Sequence, residues 1–444
     1  MKSIVNPKIM VNSFWSIPEK EETAFRIMRY VIRIDCKERV LLHNVVTGQL
    51  VEIYNDEKLV IDSLPASYSE KMDALIDNYF LVPTDFDEHQ KVQGIKVLLR
   101  RLDDVKSKTS INHYTILPTT ACNAQCHYCF EKGITPITMS EQTAEEVVHF
   151  IVNHCDSQKL VYLTWFGGEP TIGSERISQI CKGLQENGIQ YRSSIITNGY
   201  LLDEQLIKIA DELWHLKNLQ ISLDGTEKTY NRIKNYVNAK NSPFQRVMDN
   251  VGAAINHEIN VDLRMNYDNN NYHEFLDLVD IVYERYKGNP HVGIRAHQIN
   301  EHGCSDESLI YRDEDWFDKK NVELNDYSRK KGLFRRKSEL PCLNYAWCDA
   351  ANNDFIVILP QGFLVSCPEQ LGTDQIIGNI KDGITNNDRV NKWKQFADYD
   401  RCKECAFFPS CTKILNCAAK DKCCERLERY RRCKEAMLQQ IKCN

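Results

Sequence analysis

Between residues 112 and 300 short β-rich runs alternate with helical stretches, and that alternation limits the fold more than any other feature of the chain. Apolar runs occur at Tyr114–Leu117, Val161–Phe166, Ser194–Thr197, Leu219–Leu223, Val261–Met265 and Val292–Ala296. One helical stretch, Thr143–Asn153, puts Ala144, Val147, Val148, Ile151 and Val152 at i, i+3, i+4, i+7 and i+8. That is a single apolar face, opened by a Thr143–Glu146 capping-box pair. Six strands alternating with helices predict an α/β fold with a parallel sheet and right-handed crossovers. Six units suit a partial (β/α)6 barrel, and chemistry in such barrels gathers at the C-terminal ends of the strands.

Just past the first of these strands runs Thr120-Ala-Cys-Asn-Ala-Gln-Cys-His-Tyr-Cys-Phe130. Cys122, Cys126 and Cys129 can hold three corners of a [4Fe–4S] cube, leaving one iron open to a small molecule. Their Cys-x3-Cys-x2-Cys spacing differs from the four-Cys runs that saturate electron-transfer clusters. It also differs from the paired Cys-x2-Cys units of structural zinc sites. A metal-free loop of buried thiols, or a zinc loop with a distant fourth ligand, are the alternatives that the trio alone leaves open.

The rest of the cysteine distribution supports metal. Of 18 cysteines in 444 residues, three lie at 122–129 and eleven beyond residue 340. Disulfide scaffolds are shorter and denser in Cys, and clustered thiols in a reducing compartment point to metal or catalysis. Cys36, Cys155, Cys181 and Cys304 are scattered and read as small buried hydrophobes. The N-terminus, Met1-Lys-Ser-Ile-Val-Asn-Pro-Lys, lacks the apolar stretch of a secretory signal, and no apolar run approaches the roughly 20 residues of a membrane span. A cytosolic protein is expected. A net charge of −6 argues against bulk nucleic-acid binding. The basic runs Arg329–Lys337 and Arg426–Lys434 read as a solvated linker and a solvated helix face.

Several polar segments fall at the ends of the expected strands: Phe166-Gly-Gly-Glu-Pro170, Thr197-Asn-Gly199, Gln220-Ile-Ser-Leu-Asp-Gly225 and Arg264-Met-Asn266. The glycines let backbone approach a ligand closely, and Glu169 is placed to meet a cation. Together the ring offers an acid for an ammonium, a cation for a carboxylate and polar groups for a ribose. That set suits an amino acid joined to a nucleoside.

With the Cys-x3-Cys-x-aromatic-Cys loop and the Gly-Gly-Glu-Pro segment both in place, the chain resembles the radical SAM superfamily. The resemblance implies that S-adenosylmethionine (SAM) chelates the open iron through its amine and carboxylate. It places Gly167, Gly168 and Glu169 at the methionyl amine, and Ser222 and Arg264 at the ribose and carboxylate. Asn198 and Asn266 become neighbours, and Tyr128 lies near the adenine. A low-potential cluster then reduces the sulfonium and releases a 5′-deoxyadenosyl radical, which the protein shields from water and aims. A low-potential electron donor such as a flavodoxin or ferredoxin is implied as a partner.

The C-terminal cysteines extend the likeness. Cys342-x5-Cys348, thirteen residues to Gly362, four to Cys367, and then Cys402-x2-Cys405-x5-Cys411 are similar to the SPASM extension of this superfamily. The resemblance implies two auxiliary [4Fe–4S] clusters, three in all. Cys342, Cys348, Cys367 and Cys417 would hold the first. Cys402, Cys405, Cys411 and a last Cys (Cys423, Cys424 or Cys433) would hold the second. The pattern departs from the family after Cys411: Thr-Lys-Ile-Leu-Asn precedes Cys417, two residues longer than usual and without glycine.

The domain boundaries expected are 1–110 for an N-terminal module, 111–310 for the partial barrel, 311–340 for a linker and 341–444 for the SPASM domain. In the first, strands around Phe25–Ile34, Val40–Asn44 and Gln49–Tyr54, a Thr47-Gly48 turn, and helices at about 56–62, 68–80 and 86–107 suggest a winged-helix-like unit. It resembles the peptide-recognition element of peptide maturases, which adds a leader peptide as a strand. The expected activity is crosslinking of a ribosomally made precursor peptide, with a Cys thioether as product. Formylglycine formation in a sulfatase and carbon–carbon crosslinking are the alternatives.

Overall fold

The computed structural model describes residues 1–8, 20, 23–37, 39–106, 110–299, 314–345, 348–417 and 426–442. The chain opens with β1 (Lys2–Val5), β2 (Ala24–Ile27), β3 (Val31–Asp35), β4 (Arg39–Asn44), β5 (Leu50–Tyr54), α1 (Asn55–Ser63), β6 (Ala66–Ser67), α2 (Asp73–Asp77), β7 (Leu81–Pro83) and α3 (Glu88–Lys106). The strands form two antiparallel sheets, β1-β5-β4-β3 and β6-β2-β7. The β4–β5 connection turns where Asn44 Oδ1 accepts hydrogen bonds from Val46 N and Thr47 N, and Gly48 takes φ +77°. The helix read at 68–80 shrinks to the five residues of α2.

The parallel unit follows: β8 (His113–Thr119), α4 (Glu141–His154), β9 (Val161–Gly167), α5 (Ser174–Glu186), β10 (Tyr191–Thr197), α6 (Glu204–Glu212), β11 (Leu216–Ser222), α7 (Glu227–Lys234), α8 (Pro243–Asn256), β12 (Asn260–Tyr267), α9 (Phe275–Tyr286) and β13 (Val292–Gln298). Neighbouring strands from β8 to β13 pair in parallel in sequence order. Period-2 alternation decides which side chain goes where. In β10 the residues Tyr191, Ser193, Ile195 and Thr197 are buried, while those between are exposed or half-buried. The buried set joins a core with Trp165 and Trp214, both 0% exposed. The opposite faces carry polar links: Thr164 to Ser194 at 3.1 Å, and Arg295 to Asp262 at 2.8 Å and to Gln220 at 2.9 Å.

The barrel does not close. The remaining elements are α10 (Glu314–Lys330), β14 (Phe355–Ile358), β15 (Phe363–Val365), β16 (Gly378–Asn379), β17 (Gly383–Ile384), α11 (Asn387–Trp393) and α12 (Arg426–Lys442). β14 pairs in parallel with β8, and β15 to β17 continue the sheet antiparallel, giving ten strands in the order β13-β12-β11-β10-β9-β8-β14-β15-β16-β17. The C-terminal cysteine-rich region is thus hydrogen-bonded into the same sheet as the barrel.

Three expectations change. Helix α4 begins at Glu141, and its cap is Ser140, whose Oγ accepts from Thr143 N at 3.0 Å. Glu146 instead bonds Gln142 and Lys381, so the Thr143–Glu146 box does not form. The linker read at 311–340 contains the 17-residue α10. Its composition is polar, but Asn325 Oδ1 accepts from Ala296 N and Ser328 Oγ donates to Ile294 O. Leu333 O, just past α10, accepts from Ile294 N, so this segment covers the free edge of β13. Arg329 and Arg431 are not solvated either, since they pair with Glu428 and Asp326 between α10 and α12.

Candidate functional site

The loop after β8 carries the three cysteines across the end of β9. Its backbone runs so close that a Cβ on Gly167 would stand 2.3 Å from Thr119 O. On Gly168 a Cβ would stand 2.5 Å from both Thr120 O and Ala121 O. Gly167 also takes φ +109°, which side chains rarely adopt. The glycine pair therefore exists at least in part to seat the cysteine loop, which Glu169 N ties down by donating to Ala121 O at 2.8 Å.

A cavity of about 270 Å³ opens above these strand ends. Cys122, Cys126 and Cys129 line it with Gly167, Gly168, Asn198, Ser222, Arg264, Asn266 and Tyr128. Of the expected cofactor-binding residues, all but Glu169 reach the cavity. Glu169 is 0% exposed, and its carboxylate accepts from Thr171 N, Thr171 Oγ1, Thr197 Oγ1 and Asn198 N. Burial pushes this carboxyl above the usual range, and the four donors oppose that. Its charge braces the wall rather than facing a ligand, which differs from the reading that Glu169 meets a cation. The second link is Asn198: its Nδ2 donates to Asn123 Oδ1 at 2.7 Å, joining the end of β10 to the cysteine loop.

The three thiols share one electrostatic environment. Burial pushes Cys122 up to about 12, and neighbouring Cys126 and Cys129 push in the same direction. Burial also raises Cys126 and Cys129, with Lys234 pulling both down. Thiols kept neutral without metal, beside a cation and with Ala124 N donating to Cys122 Sγ at 3.4 Å, suit a centre that deprotonates its ligands. Among the described residues no three His, Cys, Asp or Glu side chains gather as one bare ion demands. A four-iron cube spreads its thiolates over separate corners, and Cys122, Cys126 and Cys129, which line one cavity, would hold it.

Sequence reasoning missed the polar knot beneath the cavity. Lys234, 2% exposed, pairs with the fully buried Asp224 at 2.8 Å and donates to Ser222 Oγ at 2.7 Å and Tyr128 Oη at 3.1 Å. Tyr128 Oη in turn donates to Asp224, and Asn266 Nδ2 donates to Asp224 Oδ1 at 3.0 Å. Burial works against the Lys234 ammonium, but Asp224, Cys126 and the nearby tyrosines outweigh it and hold its pKa well above that of a free lysine. The available signal was Asp224 in the Gln220–Gly225 segment, read only as one of the polar segments at the strand ends. Lys234 gave none, because only the packing of α7 brings it there. Arg264 Nε donates to Asn266 Oδ1 at 2.8 Å, while burial and then Arg295 lower its pKa.

Two carboxylates were also missed. Glu131, 8% exposed and pushed up to about 7 by burial, lines the cavity beside Phe130, whose ring stacks on Phe166 at 6.1 Å. Glu369, two residues after Cys367, reaches the same cavity from the C-terminal region.

The other expected ligands fall into two neighbourhoods. Burial raises Cys348 and Cys367, with Cys417 adding to both, and Cys367 and Cys417 pack against Ala350, Trp393 and Ile414. Cys342 sits apart from that apolar group, its Cβ against Gly48 of the N-terminal turn. Cys402 is raised by burial, with Asp398, Cys411 and Cys405 adding to it. Cys402 and Cys405 pack against an apolar cluster that contains Cys433, itself 1% exposed and pushed up to about 12 by burial. Cys423 and Cys424 lie outside the described residues, as does Cys304.

Residues 116–282 match the sequence profile of the Radical SAM superfamily. Among curated relatives, a putative glycyl-radical enzyme activating enzyme of Methanocaldococcus jannaschii is 31% identical over 110 residues, 25% of this chain and 41% of that protein. The radical SAM cyclopropyl synthase TigE of Paramaledivibacter caminithermalis is 20% identical over 92% of this chain and 89% of its own length. Among solved structures, anSMEcpe with bound AdoMet and Cp18Cys peptide superposes with TM-score 0.55 at 17% identity, covering 74% of this chain and 98% of that one. Streptococcus suis SuiB bound to S-adenosylmethionine gives TM-score 0.51 at 14% identity over 87% and 94%. The fold and the cysteine-lined cavity at its strand ends define a radical SAM domain. Residues 116–282 are thus a Radical SAM domain, and that family implies a [4Fe–4S] cluster and SAM. Among the described residues no helix is long and apolar enough to cross a membrane.

Proposed function

We propose that the chain is a peptide maturase that installs a crosslink, a Cys thioether, in a ribosomally made precursor peptide in the cytoplasm. The observation that carries this reading is Glu369. Through it the C-terminal cysteine region forms one wall of the cavity that holds Cys122, Cys126 and Cys129. A substrate entering there meets the Cys122–Cys129 group and, at Glu369, the segment two residues past Cys367. Structures of the same fold include SuiB bound to the precursor peptide SuiA, at TM-score 0.50 and 14% identity.

In this reading Cys122, Cys126 and Cys129 hold the SAM-binding cluster. Backbone of Gly167 and Gly168, with Asn198 and Glu169 bracing it, seats the methionyl amine. Arg264 takes the carboxylate, Ser222 and Asn266 the ribose, and Tyr128 borders the adenine. When bound, the cluster and SAM would supply the radical chemistry for removing a hydrogen from the peptide. Lys234 and Asp224 fix Ser222 and Tyr128 in place, and the Phe130–Phe166 stack keeps water from the cavity. Glu369 presents a carboxylate to the peptide. Cys342, Cys348, Cys367 and Cys417 hold a first auxiliary cluster. Cys402, Cys405, Cys411 and one of Cys423, Cys424 or Cys433 hold a second. The N-terminal sheet binds the leader peptide along an edge strand, and a flavodoxin or ferredoxin supplies electrons.

TigE, named a cyclopropyl synthase and alignable over 92% of this chain, favours carbon–carbon bond formation as the second reading. Anaerobic incubation with reductant, SAM and a candidate peptide distinguishes the outcomes by mass spectrometry. A product about two mass units lighter supports a crosslink, since two hydrogens leave. Fragmentation then places the new bond at sulfur or at carbon. SAM cleavage with every candidate peptide unchanged contradicts both.

A further inference from the structure

Helix α3 of the N-terminal module packs on the C-terminal cysteine region and buries Lys96 in it. Lys96 is 1% exposed, and its Nζ donates to Cys411 O at 2.9 Å and Phe408 O at 3.2 Å. The ammonium also lies 5.1 Å from the centre of the Phe408 ring and 5.7 Å from that of Phe396. Among the described residues no carboxylate stands within ion-pair distance of it. Asp398, whose charge reaches it, is bonded to His89 at 3.0 Å and to Gln93. A buried cation held by carbonyl and ring dipoles alone is costly unless a negative group completes it. Cys411, Asp398 and Cys402 favour its charge, against burial and the Arg429 guanidinium.

The same loop is held by two other cations. Arg29, beside the β2–β3 turn, donates to Lys403 O at 2.8 Å, and Arg429 of α12 donates to Ser410 Oγ at 2.7 Å. Both are more exposed than Lys96, whose place between Phe396 and Phe408 removes the water that would screen its charge. His89, two turns earlier on the same face of α3, lies with its ring tilted 4.2 Å from that of Phe408 and bonds Tyr30. The N-terminal module and the Cys402–Cys411 loop thus share one core, and Lys96 brings a buried charge to it.

We infer that Lys96 is the counter-charge of an auxiliary iron–sulfur cluster held by Cys402, Cys405 and Cys411, and that it sets that cluster's reduction potential from the N-terminal module. This rests on the proposed auxiliary cluster. A thiolate-bound cube is anionic, and adding one electron makes it more so. A fixed positive charge beside it therefore favours the reduced form and raises the potential. Net charge and hydrogen bonding are among the known determinants of such potentials.

The test is a dithionite titration of the reconstituted full chain, followed by electron paramagnetic resonance without SAM. Lys96→Met is expected to keep its iron while one midpoint falls by about tenfold in the reduction equilibrium, ~59 mV for a one-electron couple. The other midpoints stay put, and Lys96→Arg restores the fall. An iron-loaded Lys96→Met with every midpoint unmoved overturns the inference. If Lys96→Met and Lys96→Gln both fail to take up that cluster's iron while Lys96→Arg does, charge is required at assembly and the inference stands. If Lys96→Arg fails alike, shape rather than charge matters and it falls. Iron analysis of Cys402→Ala/Cys405→Ala separates the premise. About four irons fewer than wild type supports a cluster there, and an unchanged content removes the cluster whatever Lys96 does.

Discussion

Lys234 Nζ stands 2.8 Å from Asp224 Oδ2, with both side chains withdrawn from solvent beneath the cavity. The pair ties the last residue of α7 to the end of β11, and it orients Ser222 and Tyr128, which face the cavity. Removing one partner of such a pair leaves a buried charge alone, at a cost of about 3–5 kcal/mol. Lys234→Met and Asp224→Asn are each expected to destabilise the anaerobic apoprotein by that amount in urea unfolding followed by tryptophan fluorescence. The double substitution is expected to lose less than the sum, because neither charge is then orphaned. Additive losses would show that the two residues act independently.

The glycine pair yields a second prediction. A Cβ at position 168 meets two carbonyls of the cysteine loop at 2.5 Å, and backbone on both sides cannot swing away as a side chain could. Gly168→Ala is expected to fold but to lose about four irons per chain, those of the 122–129 site, by iron and sulfide analysis. Gly94→Ala is the control. Nothing lies within 4 Å of its added Cβ on α3, and the change is expected to stabilise by about 0.5–1 kcal/mol with iron content intact.

Cys181 gives a pH prediction. It is fully buried on α5, and burial pushes its thiol up to about 12. The folded chain therefore holds a proton that the unfolded chain releases near pH 8.5. The stability this provides is fully present below about 8.5 and is lost as pH rises toward 12. Iodoacetamide at pH 8.5 is expected to leave Cys181 unlabelled in the native protein, as peptide mass spectrometry reads out. Cys181→Ala is expected to flatten the stability loss above pH 8.5, and an unchanged slope would assign it to other groups.

How far the sequence foretold these features depends on whether the determinant was local. The six barrel strands follow from period-2 patterning, and each observed strand overlaps its expected run. The cavity-lining Ser222, Arg264 and Asn266 were legible because they end strands whose register is set by the same alternation. Where the determinant is tertiary, the sequence was silent or misleading. Helix α10 is too polar to read as packed, and it is held by Asn325 and Ser328 on the backbone of an edge strand. Glu169 looked like a ligand for a cation because it follows two glycines, yet the threonines at 171 and 197 turn its charge inward. Lys234, Glu369 and Lys96 carry no motif at all. Each reaches its place through packing between elements far apart in the chain.

The proposed function requires that a peptide lose hydrogen to chemistry begun at Cys122, Cys126 and Cys129. It is tested most directly by incubating the reduced protein with SAM and a candidate precursor peptide deuterated at the residue to be crosslinked. The account predicts deuterium in the released 5′-deoxyadenosine and a peptide lighter by the lost deuterium and one further hydrogen. Cys126→Ala should abolish both. Release of 5′-deoxyadenosine free of deuterium, with the mass of every candidate peptide unchanged, would contradict it.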